Sequence, residues 1–596
     1  MEGNFDSMTN NTVNDRKRIG DDPPKNRIFF ISLSIVIFAF SLFRIHIGMH
    51  SDEAHFVAVG DMISRGNSLF KEIWYYQQMS GVVSAPIIYL YGSINGSREG
   101  VLLFIRFFSL AIQLMVCIYF FNTFKNRFDI KRVAIATIIL YVFVPDFQSL
   151  NYKQAIIWLL IITISSSYRY YASNRLKYAF FIGLAISVCV LEYPTSILLA
   201  PLYLYILVRI SKTDKCKKLS AIIYILTCFL CAVSFFIFAF SKISFAEFVY
   251  FFPKVFKDDN LDTRFAYKLI RPFAKYIAMF LMYSIPILCV TYIDRLGEIV
   301  KKLRIPVASL IMLLAFVGQC FIERNGITWH CVTYPFTIAM LALPCVTTNK
   351  YYVGDNDLKN EDIKTIVRLV SYPVYMAVFV MALASNQGNV TSMYPSVIAA
   401  CGMLMIIGSE EFESEYVKYE RTAIEVILLV CALSMYIFPV WEQEACEDGF
   451  GARTLFSSRI RVENGCLKGI YISEEYYKKY YDLYETEIRY TTDDDITLII
   501  DDYDISAYGY INLRGIPSTF SPQGGLGIEK ASKITDYLKC NERLTPDKII
   551  LNMEYIGDSV DHYLESTPLG EYIVINGYGL IGQNNEYLVF EKGGKH

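Results

Sequence analysis

Long apolar runs separated by short polar segments fill the first 440 residues of the chain, whereas residues 441–596 contain no run long enough to cross a membrane. An α-helix rises 1.5 Å per residue, so a run of about 20 apolar residues crosses the hydrocarbon core of a bilayer. The pattern therefore predicts a polytopic α-helical membrane protein with about 13 transmembrane helices. The predicted spans are residues 28–48, 100–121, 133–149, 155–172, 178–191, 197–210, 219–241, 273–293, 305–321, 332–347, 369–385, 393–408 and 422–440.

Basic residues alternate between the loops that join these spans. They precede the first span and recur in the loops at 125–132, 175–177, 212–218 and 295–304. Lysine and arginine favour the cytoplasmic side, so the alternation predicts a cytoplasmic N-terminus, and an odd number of spans places the C-terminus outside. The predicted parts are a cytoplasmic tail (1–27), a transmembrane domain (28–440) with a long first outer loop (49–99), and an extracytoplasmic soluble domain (441–596).

Shorter patterns predict structure outside the spans. Residues 81–90 of the first outer loop form an apolar stretch too short to span, which favours a helix lying along the membrane surface. In the C-terminal domain, apolar strands alternate with polar turns and one segment has helical spacing, so we expect a small α/β domain. The predicted strands are residues 497–500, 548–551, 571–575 and 587–590, and the predicted helix is 528–538.

Composition supports the membrane class and excludes others. Hydrophobic residues make up 54% of the chain, and the mean hydropathy is +0.33, which a soluble protein of this size does not show. The net charge of −2 gives no reason to expect a nucleic-acid partner. Most of the 14 cysteines lie inside apolar runs, where cysteine behaves as a small hydrophobe, and we expect neither a metal nor another cofactor. Cys446 and Cys466 lie near enough in the sequence to allow a disulfide in an extracytoplasmic domain.

The acidic pair Asp52-Glu53 follows the first apolar run within the segment RIHIGMHSDEAHF. These carboxylates emerge within about one turn of the predicted membrane surface, where they are suited to chemistry on a lipid-borne substrate. The alternative is that the pair only marks the solvated end of a helix. For glycosyl transfer from a lipid phosphate, a carboxylate accepts the proton of the attacking hydroxyl, and we assign that role to Asp52 and Glu53. Asp146, at the outer end of the third span, is a second carboxylate that could orient the acceptor.

The departing lipid phosphate is an anion, so cations on the same face would stabilise its developing charge. Several basic residues are predicted outside, and for each of them the alternative is a side chain that snorkels to the lipid headgroups. The segment ERNGITWH is dense in polar and aromatic groups, so we favour its residues Arg324 and His330 over the other candidate phosphate-binding residues. The other predicted phosphate-binding residues are Lys71, Arg264 and Arg271.

The opening motif resembles that of the integral-membrane glycosyltransferases of the C superfamily (GT-C), in particular the protein O-mannosyltransferase and aminoarabinose-transferase-like group. Members of that group have an Asp-Glu pair just after the first span, as HSDEAHF has here, and then a long first outer loop with interfacial helices. They also have a glycine followed by an arginine at the opening of the second span, which LYGSINGSREGVLLFIRFFSL matches with Gly92 and Arg106. The resemblance implies a helical bundle with an outer C-terminal domain, and a carboxylate at Asp52 that acts on the acceptor.

One segment departs from that family. Its members often carry a Lys-Pro-Pro segment before the second span, with the lysine near the donor phosphate, where this chain has Gln77 and Gln78. The sequence as a whole predicts a multi-pass plasma-membrane glycosyltransferase. It would transfer a sugar from a polyprenyl-phosphate donor to a hydroxyl of a cell-surface glycan, lipid or protein on the outer face. The alternatives are a polysaccharide polymerase or ligase of another membrane class, and a transporter or lipid flippase.

Overall fold

The computed structural model describes most of the chain in several stretches. The described residues are 24–49, 51–75, 77–144, 149–256, 334–346, 357–384, 393–407, 422, 424–433, 436–437, 460–501, 503–518, 528–556 and 559–593.

The N-terminal part of the described chain is entirely helical, apart from short turns. Its helices are α1 (Pro24–Arg44), α2 (Ser51–Ser64), α3 (Gln78–Asn95), α4 (Val101–Phe124), α5 (Ile130–Val142), α6 (Tyr152–Ser173), α7 (Lys177–Glu192), α8 (Leu199–Ile210), α9 (Asp214–Phe240), α10 (Phe245–Phe256), α11 (Tyr334–Val346), α12 (Asp357–Ala384), α13 (Ser396–Ile407) and α14 (Ile424–Leu433). Polar side chains begin several of them: Asp129 accepts from the backbone N–H of Lys131, and Asn151 accepts from that of Gln154.

A helix lies within each predicted span that the structure describes, although some span ends, such as residues 143–144 and 393–395, are not helical. Two predicted spans, 273–293 and 305–321, lie outside the described residues. Among the described helices, 3 are long and apolar enough to cross a bilayer: Val101–Phe124, Asp214–Phe240 and Ile363–Leu383, the last within α12. The molecule is therefore a helical protein with candidate membrane spans, while the full count of spans stays a prediction.

The long first loop folds into two helices of different character. Helix α2 is buried along almost its whole length and packs against α3. Helix α3 contains the predicted surface stretch 81–90 and exposes Tyr89, Leu90 and Ile94 on one side. The helical prediction is confirmed for this stretch, and its position at the membrane surface stays a prediction.

The C-terminal part contains a mixed sheet with helices packed on it. Its strands are β1 (Ile460–Arg461), β2 (Tyr471–Ile472), β3 (Ile496–Ile500), β4 (Ile516–Pro517), β5 (Lys548–Asn552), β6 (Tyr578–Gln583) and β7 (Tyr587–Lys592). Its helices are α15 (Glu474–Tyr490), α16 (Tyr503–Asn512), α17 (Ile528–Cys540), α18 (Val560–Ser566) and α19 (Pro568–Ile575). The 5-stranded sheet has the order β4-β3-β5-β7-β6, in which β3 runs parallel to β4 and β5, and β7 runs antiparallel to β5 and β6. We call residues 460–593 the C-terminal α/β region.

The strand predictions in this region are confirmed except at 571–575, which was wrong because the segment is part of α19. Thr567 caps that helix by accepting a hydrogen bond from the backbone N–H of Gly570 at 3.0 Å, and Pro568 occupies its first turn. The run EYIVI is too short for its periodicity to distinguish a strand from a helix, and the N-cap at Thr567 favours the helix. The predicted helix at 528–538 is confirmed as α17, and Cys466 is a buried free thiol whose possible partner Cys446 lies outside the described residues.

The C-terminal α/β region packs against the end of the bundle where α1 ends and α4 begins. Backbone hydrogen bonds join Gly48 to Tyr471 at 2.8 Å and Gly100 to Gly465 at 2.9 Å. Because α4 is a single straight run of 24 residues, its other end lies about 36 Å away. The basic loops after α4, α6 and α8 are at that far end, opposite the C-terminal α/β region.

Candidate active site

A buried ion pair lies at the N-terminal end of α2, where the predicted motif begins. Glu53 is 0% exposed and accepts hydrogen bonds from Arg106 of α4 on both carboxylate oxygens, at 2.7 Å from Nε and 2.5 Å from Nη2. Arg106 is itself only 3% exposed. A paired, bidentate geometry is the arrangement that makes two buried charges tolerable, because each satisfies the hydrogen-bonding groups of the other.

The same guanidinium also fixes the turn between α1 and α2. Arg106 Nη1 donates to the carbonyl of Ile45 at 2.9 Å, and Nη2 donates to that of Gly48 at 2.8 Å. Gly48 has a φ of 73°, a left-handed conformation that L side chains rarely adopt, so a glycine suits this turn. Arg106 therefore connects α4, the turn after α1, and α2, the helix that carries the acidic motif.

Asp52 lies in the first turn of α2, next to Glu53 in the sequence. The backbone on both sides of it is fixed, by Gly48 before it and by the Glu53–Arg106 pair after it. The structure thus places the motif at the end of α1, on the side of the bundle that contacts the C-terminal α/β region.

A second acidic residue anchors the other end of α2. Asp61 is 0% exposed and receives hydrogen bonds from Arg65 Nε at 2.6 Å and from Arg98 Nε at 2.5 Å. Ser64 donates to the backbone carbonyl of Asp61 at 2.7 Å. We call Asp61, Ser64, Arg65 and Arg98 the Asp61 cluster.

The Asp61 cluster joins α2 to the C-terminal α/β region. Arg65 Nη1 donates to the carbonyls of Leu513 at 2.7 Å and Gly515 at 2.5 Å, just after the C-terminal end of α16. Unpaired carbonyls at a helix C-terminus carry partial negative charge and favour a cation. Helix α16 also packs directly against α2, so the two elements form one unit.

Small residues allow α2 and α3 to cross at close range. A methyl group on Gly60 of α2 would overlap Ser84 Oγ of α3, and one on Gly81 would lie 2.5 Å from Val59 Cγ1. The crossing brings the two helices of the first loop into contact over a long stretch. The position of α2 is therefore determined at both ends and along its length.

Lys71, a predicted phosphate-binding residue, is paired in this structure. Its ammonium lies 2.7 Å from Glu247 Oε1 of α10, and both side chains are partly exposed, at 31% and 37%. The hydrogen bond from Lys71, with further ones from Ser244, lowers the pKa of Glu247 to about 2. The lysine is thus near the predicted outer surface, with its charge balanced by a carboxylate.

The other predicted site residues cannot be compared with this arrangement. Asp146, Arg264, Arg271, Arg324 and His330 lie outside the described residues. Among the predicted residues the structure brings Asp52 and Glu53 together on α2, while Lys71 lies in the segment that follows it.

Sequence reasoning missed the arginine partners of the two acidic residues. Arg106 was noted only through the family resemblance, and the Asp61 cluster was not predicted. Asp61 and Arg65 are four residues apart on a predicted outer segment, a spacing that allows a helical ion pair. That spacing was the available signal.

One further buried acid lies at the end of α7. Glu192 is 2% exposed, and its Oε2 atom has no hydrogen-bond partner among the residues that the structure describes. Beside it, Tyr193 stacks on Tyr152 with ring centroids 5.6 Å apart, which places the end of α7 beside the start of α6. An ionisable group in such a position costs free energy unless it has a function or a further partner.

A protein-family model matches residues 80–238. Its description is dolichyl-phosphate-mannose-protein mannosyltransferase, and the match covers α3 to α8 and most of α9. The match confirms the resemblance to membrane glycosyltransferases of the GT-C type that the motif predicted, and with it the prediction that the chain is a glycosyltransferase. No curated protein is similar to the chain in sequence.

Two solved structures align with most of this chain at low sequence identity. The oligosaccharyltransferase of Archaeoglobus fulgidus, in complex with zinc and sulfate, is 12% identical, and the alignment covers 92% of this chain and 70% of that one with a TM-score of 0.45. ArnT from Cupriavidus metallidurans, bound to undecaprenyl phosphate, is 11% identical. The alignment covers 96% of this chain and 98% of that one with a TM-score of 0.39.

Proposed function

We propose that this glycosyltransferase transfers a sugar from a polyprenyl-phosphate-linked donor to an acceptor hydroxyl on the outer face of the plasma membrane. The observation that carries the proposal is the buried Glu53–Arg106 pair, which fixes the acidic motif at the end of a predicted membrane span. A residue at that place can meet a lipid-linked donor whose phosphate lies at the headgroup level.

Asp52 is the proposed general base. The acceptor oxygen forms a bond to the anomeric carbon while the bond from that carbon to the phosphate oxygen breaks, and the hydroxyl proton passes to the Asp52 carboxylate. Glu53 was predicted to share this role. Because both of its oxygens accept from Arg106, we assign Glu53 a positioning role, in which it fixes the first turn of α2.

The departing polyprenyl phosphate needs cations close to the membrane surface. We retain Arg324, His330, Arg264 and Arg271 as the proposed phosphate-binding residues. Lys71 remains a candidate, although it must exchange its contact with Glu247 for one with the donor. Asp146 is the proposed acceptor-orienting carboxylate.

Charge and packing together support the proposed side of the membrane. The C-terminal α/β region and the acidic motif lie at the same end of the bundle, whereas the lysine- and arginine-rich loops after α4, α6 and α8 lie at the other end. Basic loops favour the cytoplasm, which supports an outer location for the motif. The acceptor is then a cell-surface glycan, lipid or protein.

The proposal is tested by transfer assays on purified full-length protein in nanodiscs with a polyprenyl-phosphate sugar. Asp52→Asn keeps the size of the side chain but removes the basic oxygen, so transfer should fall by roughly 10²–10⁴-fold while the KM for the donor changes little. Asp561→Asn, at an exposed position of α18, is the matched control and should transfer as the wild type does. Wild-type transfer by Asp52→Asn would remove Asp52 from the mechanism.

A further inference from the structure

A cleft of about 680 Å³ lies between the end of the first loop and the C-terminal α/β region. One wall consists of Arg65 and residues 96–99, and the other of residues from α15 and the segment after α16. Its size falls in the range of ligand sites, which occur preferentially where two parts of a protein meet. The acidic motif does not line it.

Hydrogen-bond donors are available to a ligand on the wall formed by the C-terminal α/β region. Arg514 is exposed and forms no ion pair within the described part of the chain. Asn512 uses its Oδ1 atom to accept from the backbone N–H of Cys466 at 2.7 Å, which leaves its amide N–H groups for a ligand. On the facing wall, Arg98 donates from Nε and Nη2 to Asp61 and Ser64 of the Asp61 cluster, at 2.5 and 3.2 Å, and its Nη1 atom packs against Gly92 of α3.

Acceptors and apolar surface complete the lining. The carboxylates of Glu99 and Asp493 are at the cleft, and Tyr484 and Ile488 lie one helical turn apart on α15. A sugar hydroxyl both donates and accepts hydrogen bonds, so a saccharide needs both kinds of group. The C–H face of a sugar ring packs on an aromatic or aliphatic side chain, as other amphipathic surfaces do.

The charges in the cleft nearly balance, which disfavours a polyanion. Glu99 pairs with Lys468 at 2.8 Å, and Asp61 neutralises part of the charge of Arg65 and Arg98. Glu487 lines the cleft with its carboxyl group buried. Burial, and then the neighbouring Asp501, raise the pKa of Glu487 well above its ordinary value, which disfavours its charged form. Mixed donors and acceptors with little net charge suit a neutral polyhydroxyl ligand.

Helix α2 relates this cleft to the acidic motif. Asp52 lies in the first turn of the helix and Arg65 follows its last residue, so the two are separated by about 20 Å at 1.5 Å per residue. A ligand in the cleft therefore lies several sugar units from the reacting hydroxyl. We propose that the cleft binds the distal sugars of a neutral saccharide acceptor, an inference that rests on the proposed glycosyl transfer.

The test measures binding and does not depend on transfer. Full-length protein in nanodiscs is titrated with linear neutral pentasaccharides of glucose, mannose and N-acetylglucosamine, and binding is followed by saturation-transfer NMR. Tyr484→Ala and Arg514→Gln should each weaken the binding of at least one pentasaccharide by about 10-fold, the effect of losing roughly 1.4 kcal/mol of contact. The matched controls are Tyr481→Ala and Arg489→Gln, which change the same residue types on α15 away from the cleft and should bind as the wild type does.

The inference would be overturned if no pentasaccharide binds, if binding is unaffected by both cleft variants, or if inorganic tripolyphosphate binds through Arg514 while the neutral sugars do not. Asp52→Asn separates this inference from the proposed reaction, because it should bind the pentasaccharide normally. If Asp52→Asn binds the sugar normally and also transfers as the wild type does, Asp52 is not the general base. The proposal that the cleft binds a saccharide would still hold. If the control variants Tyr481→Ala and Arg489→Gln also lose binding, the effect would point to a general change in α15. That result would contradict saccharide binding in the cleft.

Discussion

The two ends of α2 use the same chemistry for different purposes. At the first end, Glu53 and Arg106 are 0% and 3% exposed and connect the motif helix to α4 inside the bundle. At the second end, Asp61 is equally buried, but its partners Arg65 and Arg98 are 15% and 20% exposed in their side chains and connect the helix to the C-terminal α/β region. An acid–arginine pair in the bundle fixes a motif, whereas one at a boundary joins two parts of the chain.

This difference explains how the proposed catalytic carboxylate, which lies on a loop, can be held in place. Functional groups on loops need support from packed neighbours to keep a productive geometry. Here the loop forms a helix that is fixed inside the bundle at one end and to the C-terminal α/β region at the other. We expect damage at the first end to affect folding and chemistry together, and damage at the second end to affect mainly the coupling of the two regions.

The largest effect should follow from Arg106→Gln, which leaves the Glu53 carboxylate buried without its cation. Breaking a buried pair by removing one partner costs about 3–5 kcal/mol, and the turn at Ile45 and Gly48 loses its hydrogen bonds as well. The measurement is the yield and thermal midpoint of the purified protein. The double variant Glu53→Gln/Arg106→Gln should be less destabilised than the sum of the single variants. Arg209→Gln, at an exposed position of α8, is the matched control, and equal stability of Arg106→Gln and wild type would contradict the role given to the pair.

Asp61→Asn should have a smaller effect, because its arginine partners can reach solvent. We expect a loss of about 1–3 kcal/mol, the usual penalty for a buried charged hydrogen-bond network that loses one member. The measurement is the thermal midpoint, together with protease cleavage between the bundle and the C-terminal α/β region. Glu99→Gln removes a surface ion pair at the same boundary, with Lys468, and should change stability less than Asp61→Asn does, because solvent screens that pair. An equal effect of both variants would show that the Asp61 cluster is no more than a surface contact.

The sequence predicted one end of this arrangement better than the other. The acidic motif was found because it directly follows an apolar run, and Arg106 was noted because a family resemblance drew attention to the start of the second span. The Asp61 cluster was missed because its contacts are remote in sequence: Arg98 lies 37 residues from Asp61, and Arg65 bonds to carbonyls more than 440 residues away. Local periodicity contains no information about such pairs. It did predict the strands β3, β5 and β7 of the C-terminal α/β region, and it failed at 571–575, where a helix cap outweighs a short apolar run.

The smallest effect concerns Lys71 and Glu247. Because Lys71 holds the pKa of Glu247 at about 2, below its ordinary value, the pair contributes stability above about pH 4.5, and that contribution disappears as the pH falls through 2. The difference in thermal midpoint between wild type and Lys71→Gln should be constant at neutral pH and shrink on acidification. Both groups are partly exposed, so the difference should stay below about 1 kcal/mol.

Kinetic measurements on variants of Lys71 and Glu247 distinguish a donor-binding role of Lys71 from a structural one. If Lys71 binds the donor phosphate, Lys71→Gln should raise the KM for the polyprenyl-phosphate sugar, and Glu247→Gln should leave it unchanged or lower it by releasing the lysine. Equal KM values in Lys71→Gln and wild type would restrict Lys71 to its ion pair with Glu247.

The central claim is that the acidic motif and the C-terminal α/β region lie together on the outer face of the membrane. It is tested most directly by labelling intact cells with a membrane-impermeant maleimide, after placing single added cysteines at Asn585 in the β6–β7 turn and at Lys215 in the basic segment at the start of α9. Both positions are exposed, and labelling is compared with that of the native cysteines alone. The account predicts added labelling at Asn585→Cys, and at Lys215→Cys only after the cells are permeabilised. Labelling of Lys215→Cys but not Asn585→Cys in intact cells would place the motif in the cytoplasm and contradict the proposed transfer reaction.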